Sequence, residues 1–134
     1  MRALDRKLAA AGRRRTFWRS AALVATLFAP AAAVAQTYEF LAAPSKDINR
    51  VFRLEKTTGE VGACQYGIKP EAPMGVTLCY PAGEGAKGGQ PGEYALVASR
   101  HESEGGVFRV DLRSGSMSIC FVLDNNVVCT APAK

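Results

Sequence analysis

A block of 27 residues occurs twice in this chain, at a spacing of 56. Tyr38 through Cys64 aligns without a gap on Tyr94 through Cys120, with seven identities. Val51-Phe-Arg-Leu-Glu55 falls on Val107-Phe-Arg-Val-Asp111, Gly59 on Gly115 and Cys64 on Cys120. The differences within strand-like parts are conservative, as at Phe40/Leu96, Leu54/Val110 and Val61/Met117. Self-similarity at a fixed period means that one supersecondary unit is built twice, which constrains the fold more than local propensity does. It fixes an architecture without naming an activity.

Each repeat reads as four short strands, near 37–42, 50–55, 60–66 and 75–80, then near 93–99, 106–111, 116–123 and 126–130. Short β-rich runs separated by turn signals predict an all-β fold, here two tandem four-stranded antiparallel meanders. Glu55-Lys-Thr-Thr-Gly59 and Asp111-Leu-Arg-Ser-Gly115 share one turn grammar. An acid opens the turn and accepts backbone N–H groups, and glycine supplies a positive φ. A four-residue loop sets Phe52 opposite Ala63, Leu54 opposite Val61, Phe108 opposite Ile119 and Val110 opposite Met117. By the period-2 rule these pairs share one sheet face. The other face carries Arg53 beside Gly62, Arg109 beside Ser118, and Val51 and Val107 beside the cysteines. It too is largely apolar in the second repeat, and a hairpin apolar on both faces is expected to be covered on both. The two units are expected to pack face to face or close into one barrel, a small sandwich or barrel with pseudo-twofold symmetry.

Residues 1–35 read as an export signal. A basic segment (Arg2, Arg6, Lys7, Arg13, Arg14, Arg15, Arg19) precedes the apolar run 21–29, and Ala33-Val34-Ala35 gives a small-x-small cleavage pattern ahead of Gln36. The apolar run is shorter than the ~20 residues that span a bilayer, and Pro30 interrupts it, so no stable membrane span is expected in the mature chain. Arg14-Arg15-Thr16-Phe17 also resembles a twin-arginine signal, so the general secretory and twin-arginine routes are both open. The expected location is periplasmic or secreted.

Removing this segment changes the charge argument. The chain has 17 basic and 12 acidic side chains, but seven of the former and one of the latter precede residue 36, leaving 10 and 11. The basic character belongs to the signal, and binding to nucleic acid is not expected. Residues 36–134 form one small domain: repeat one 36–80, a Gly-rich linker 81–92 that reads as flexible, and repeat two 93–134. A chain of this size buries roughly 60–65% of its unfolded surface, a thin margin that disulfides usually reinforce in exported proteins.

All four cysteines, Cys64, Cys79, Cys120 and Cys129, follow the signal. Of the three possible connectivities, hairpin geometry favours one. A two-residue turn at Asp124-Asn125 sets Cys120 opposite Cys129 at a non-hydrogen-bonded position, where Cα atoms lie ~4.5 Å apart, within disulfide range. The repeat then joins Cys64 to Cys79 across a longer loop holding Pro70, Pro73 and Gly75.

Candidate chemistry is sparse. Arg53 and Arg109 are equivalent, each two residues before an acid, and read as surface salt bridges to Glu55 and Asp111 or as an anion-binding site built twice. His101, with Glu102 or Glu104, is the one candidate for catalysis, but repeat one has Ser45 in its place. No catalytic residue, cofactor site or metal site is assigned. The cysteines lack the Cys-x-x-Cys spacing of zinc sites, and Asp124-Asn125-Asn126 lacks the ligand pattern of a calcium loop. The lone Trp18 lies in the signal, and the repeat-related Tyr38 and Tyr94 read as core or edge packing.

The run 107–120, with Cys129 after it, resembles a hairpin of small exported proteobacterial proteins of uncharacterised function. Its pattern is an arginine, an acid, a Thr/Ser-Gly turn and a cysteine pair. The resemblance covers both repeats, implies extracytoplasmic location and β-structure, and supplies no catalytic residues. The hairpin also looks like a propeller-blade fragment, although two repeats are too few for a closed propeller in one chain. These readings converge on a non-enzymatic exported β-domain that binds a protein or a cell-envelope component. The alternatives are a small-ligand carrier with its site in the barrel or between the repeats, and a small enzyme using His101.

Overall fold

The computed structural model describes residues 37–134. The expected export signal, with its twin arginines and Trp18, lies outside the described residues. Eight strands form two four-stranded antiparallel sheets, each in simple sequential order. The first contains β1 (Tyr38–Ala42), β2 (Arg50–Glu55), β3 (Val61–Lys69) and β4 (Ala72–Tyr80). The second contains β5 (Tyr94–Val97), β6 (Val107–Asp111), β7 (Met117–Leu123) and β8 (Asn126–Cys129). Among the described residues no helix is long and apolar enough to cross a membrane.

Local sequence sets the register of the central hairpins. Phe52 pairs with Ala63 and Leu54 with Val61, while Phe108 pairs with Ile119 and Val110 with Met117. Both turns close alike. The Gly59 N–H donates to the Glu55 carbonyl oxygen, and the Gly115 N–H to that of Asp111. The two glycines have φ of 75° and 73°. At the β7–β8 turn, Asp124 and Asn125 take φ of 47° and 62°, the left-handed pair that a tight hairpin requires. Disulfides join Cys64 to Cys79 and Cys120 to Cys129, with Cα separations of 4.0 and 4.1 Å. Two cross-strand disulfides mark an oxidising, extracytoplasmic setting.

The β3–β4 hairpin is longer than the sequence predicts. Its strands continue to Lys69 and from Ala72, so Pro73 and Gly75 lie within β4 rather than in a loop. Pro73 is tolerated because β4 is an edge strand, where a missing N–H costs little. The register shifts beyond Gly67, where three residues of β4 stand opposite Ile68 alone. The tip is solvated, with Met74 92% exposed.

Packing between the sheets departs from the expected twofold. Each sheet has a Phe face, holding Phe52 or Phe108, and a Cys face, holding the disulfide. In the first sheet the Phe face is buried: Phe52, Leu54, Val61 and Ala63 enter the core. In the second sheet it is the Cys face: Leu96, Val107, Cys120, Val127 and Cys129 enter the same core. The interface therefore joins unlike faces, head to tail. A twofold would bury the same face of both. Each of the largest side chains gains ~1.5–3 kcal/mol from full burial, and both faces are apolar enough to serve.

The segment 81–92 is an ordered strap instead of a flexible linker. The Val127 N–H donates to the Pro81 carbonyl oxygen, the Gly83 N–H to that of Val127, and the Cys129 N–H to that of Glu84, so the segment extends the second sheet beside β8. Gly89 and Gly92 N–H groups then donate to Thr58 and Thr57, and Ala86 is buried in the core. Gly85 has φ of 69°, and a Cβ there would strike the Cys129 carbonyl oxygen. Glycine content thus permits close backbone approach here rather than mobility. The repeats also end alike: the Val61 N–H donates to the Ala86 carbonyl oxygen and the Met117 N–H to that of Ala133.

Candidate functional site

Burying unlike faces leaves two unlike faces outward. The exposed Cys face of the first sheet carries Phe40 directly opposite Arg53, and Ala42 opposite Val51. Phe40 is 64% exposed. With Tyr38, Tyr80, Pro81 and the Cys64–Cys79 disulfide, Phe40, Val51 and Arg53 line an open, mainly apolar cleft of about 680 Å³. The Arg53 guanidinium lies over the Tyr38 ring, 5.3 Å from its centroid. At an exposed site such a contact contributes ~0.5–1 kcal/mol. Arg50 stands over Tyr80 and holds Gln65 Oε1 from Nε and Nη2, at 3.0 and 2.8 Å.

The two arginines singled out by the repeat have diverged. Arg53 is exposed and forms no salt bridge with Glu55. Arg109 is half-buried and donates from Nη1 to the Gly59 carbonyl oxygen at 3.0 Å, across the interface between the sheets. Burial pulls its guanidinium below the ordinary arginine range, while the nearby Tyr94 opposes that shift. The expected pairings fail because both carboxylates serve their own turns. Glu55 accepts N–H bonds from Thr57 and Thr58, and Asp111 accepts them from Arg113 and Ser114 at 2.8 and 3.1 Å. Hydrogen bonds from Thr58, side chain and then backbone, hold the Glu55 carboxyl below its usual range. The Ser114 and Arg113 N–H groups do the same for Asp111. The two repeat-equivalent arginines are therefore unequal: one donates to a carbonyl and the other faces solvent.

Beside Arg109 lies a smaller cavity of about 150 Å³, bounded by Thr58, Lys87, Tyr94, Asp111 and Ser118. His101 is on the exposed β5–β6 loop, where its Nδ1 accepts the Ser103 N–H at 3.2 Å. Glu102 pairs with Lys46 at 2.6 Å, and Glu104 accepts the Gly106 N–H. The loop is a set of local turns that also binds the equivalent β1–β2 loop, through the Ser45 N–H to the Glu104 carbonyl oxygen. Asp124 and Asn125 form the hairpin turn. Among the described residues, no three His, Cys, Asp or Glu side chains gather to hold a metal ion.

Sequence reasoning assigned Arg53, Val51 and the cysteines to one face but missed that this face of the first sheet is left outward, with Tyr38 and Phe40 on it. Tyr38 and Tyr94 are repeat equivalents, yet Tyr94 packs against the core and Tyr38 stands 46% exposed. No local signal separates them, because each opens a short, largely apolar strand at the same place in its repeat. No protein-family model, curated protein or solved structure matches this chain.

Proposed function

We propose that the chain is a non-enzymatic exported β-domain that binds a protein or cell-envelope component through the outward Cys face of its first sheet. The supporting observation is the cluster of Tyr38, Phe40 and Val51 around Arg53, an exposed apolar patch with one cation, on a disulfide-stapled sheet. Monomeric soluble proteins rarely leave such faces bare without a binding role. The periplasm, or the medium after secretion, is the proposed location, reached by the general secretory or the twin-arginine route. A photo-crosslinking residue at position 40, activated in the native host, is expected to give a discrete adduct that Arg53→Glu abolishes. Absence of any adduct at native levels would count decisively against this reading.

A carrier of a small apolar ligand is the second reading. The cleft of about 680 Å³ favours it, being of small-molecule size. It places the ligand on the outer face, since the space between the sheets is filled by Phe52, Leu54, Val107 and Cys120. Such a ligand would raise the melting temperature with its concentration.

A further inference from the structure

We infer that the chain self-associates head to tail, the outward Phe face of one copy's second sheet packing on the outward Cys face of the next copy's first sheet. The inference rests on the binding-face reading above and names its partner as a second copy of this chain.

Each free face is the repeat equivalent of a face that the chain already buries. Phe52, Leu54, Val61 and Ala63 of the first Phe face are in the core. Their equivalents Phe108, Val110 and Ile119 are half-buried, and Met117 is 47% exposed. Leu96, Val107 and Cys120 of the second Cys face are in the core. Their equivalents are the exposed Phe40 and Val51 and the half-exposed Cys64. A Phe face already meets a Cys face once within the chain, and the two left over are again one of each. Contact between copies would repeat a joint whose shape the repeat has already encoded.

The polar seam of the internal joint also has an unused equivalent. Inside the chain, Arg109 donates to the Gly59 carbonyl oxygen, and the Tyr94 ring lies 3.0 Å from where a Gly59 Cβ would stand. Arg53 and Tyr38 are the equivalents of Arg109 and Tyr94, and both are exposed. Gly115 is the equivalent of Gly59; it has the same left-handed backbone, and nothing lies within 4 Å of its Cβ position. In the joint between copies, Arg53 donates to the Gly115 carbonyl oxygen of its neighbour, and Tyr38 covers that glycine. A heterologous contact of this kind closes into a ring when the rotation fits a full turn. Propeller-like rings hold about four to eight sheets, hence about two to four copies of this chain.

The exported chain, purified with both disulfides formed, is tested by native mass spectrometry and sedimentation velocity. The expected mass is two to four times that of one chain. Arg53→Glu and Met117→Glu should each lower it. Because each variant spoils a different face, mixing the two should restore a 1:1 dimer through the remaining intact pair, which symmetric association through one face would not do. In the unmutated protein, peroxide should oxidise Met74 at least tenfold faster than Met117, a readout that needs no variant. A single-chain mass at tens of micromolar overturns the inference, as does an oligomer indifferent to both substitutions. If the protein is a single chain while position 40 still crosslinks to another molecule, the self-association falls and the binding-face reading stands.

Discussion

Arg109 reaches from the second sheet to the Gly59 carbonyl oxygen in a turn of the first, at 3.0 Å. A charged donor to a backbone carbonyl, half-buried between two sheets, ties the repeats together where their apolar faces end. Removing the donor leaves a poorly hydrated carbonyl, at a cost of about 1–3 kcal/mol. Arg109→Met is expected to lower the urea midpoint accordingly, and Arg109→Lys to recover part of it. An unchanged midpoint for Arg109→Met would show that the contact carries no net stability.

Phe52 and Phe108 hold equivalent places, but only Phe52 is wholly enclosed. Phe52→Ala should cost ~3–5 kcal/mol, a large part of the stability of a domain this small. Phe108→Ala should cost clearly less when the chain is measured as a single copy. Equal losses in dilute denaturant titrations would contradict the unequal burial of the two faces.

The disulfides differ in the same way. Cys120 and Cys129 lie in the core, whereas Cys79 is exposed and Cys64 half-exposed. Non-reducing peptide mapping should give 64–79 and 120–129. Under limiting phosphine the 64–79 bridge should open first, because the reductant reaches it without unfolding. Replacing Cys120 and Cys129 together by Ala should cost ~2–4 kcal/mol. Faster loss of the 120–129 bridge would refute this order of burial.

Acid should weaken the fold through its two turns. The Glu55 and Asp111 carboxyls are held below their usual range by hydrogen bonds within the turns. A depressed folded-state value means that the unfolded chain takes up protons first. The contribution is complete above the ordinary values of about 4 and is lost as the pH falls through the lower folded values. Urea midpoints measured from pH 6 down to pH 3 should fall at the acid end. The pair Glu55→Gln and Asp111→Asn should flatten that limb, and an unaltered limb would assign it to other carboxylates.

Much of this was legible in the letters. The turn residues between Glu55 and Gly59, and between Asp111 and Gly115, lie close in sequence to the strands they join, so local chemistry sets the register of Phe52 on Ala63 and Phe108 on Ile119. The same counting placed Cys120 on Cys129. The extent of the β3–β4 arm was less legible, because Pro73 is compatible with either a loop or an edge strand, and edge status is a property of the finished sheet. The strap at 81–92 was misleading for a related reason. Its glycines serve flexible and closely packed backbone equally well, and only the proximity of β8 selects the second use.

The sequence by itself determined two copies of a four-stranded meander, their hairpin registers and their staples, since all of these follow from turn chemistry and period-2 alternation within a few tens of residues. Which face of each copy is buried was decided only in the tertiary structure. Both faces are apolar, so alternation marks them as different without ranking them. The choice falls to long-range packing, in which the Phe face of one copy meets the Cys face of the other and Arg109 finds Gly59. The same choice leaves Arg53, Phe40 and Gly115 facing outward.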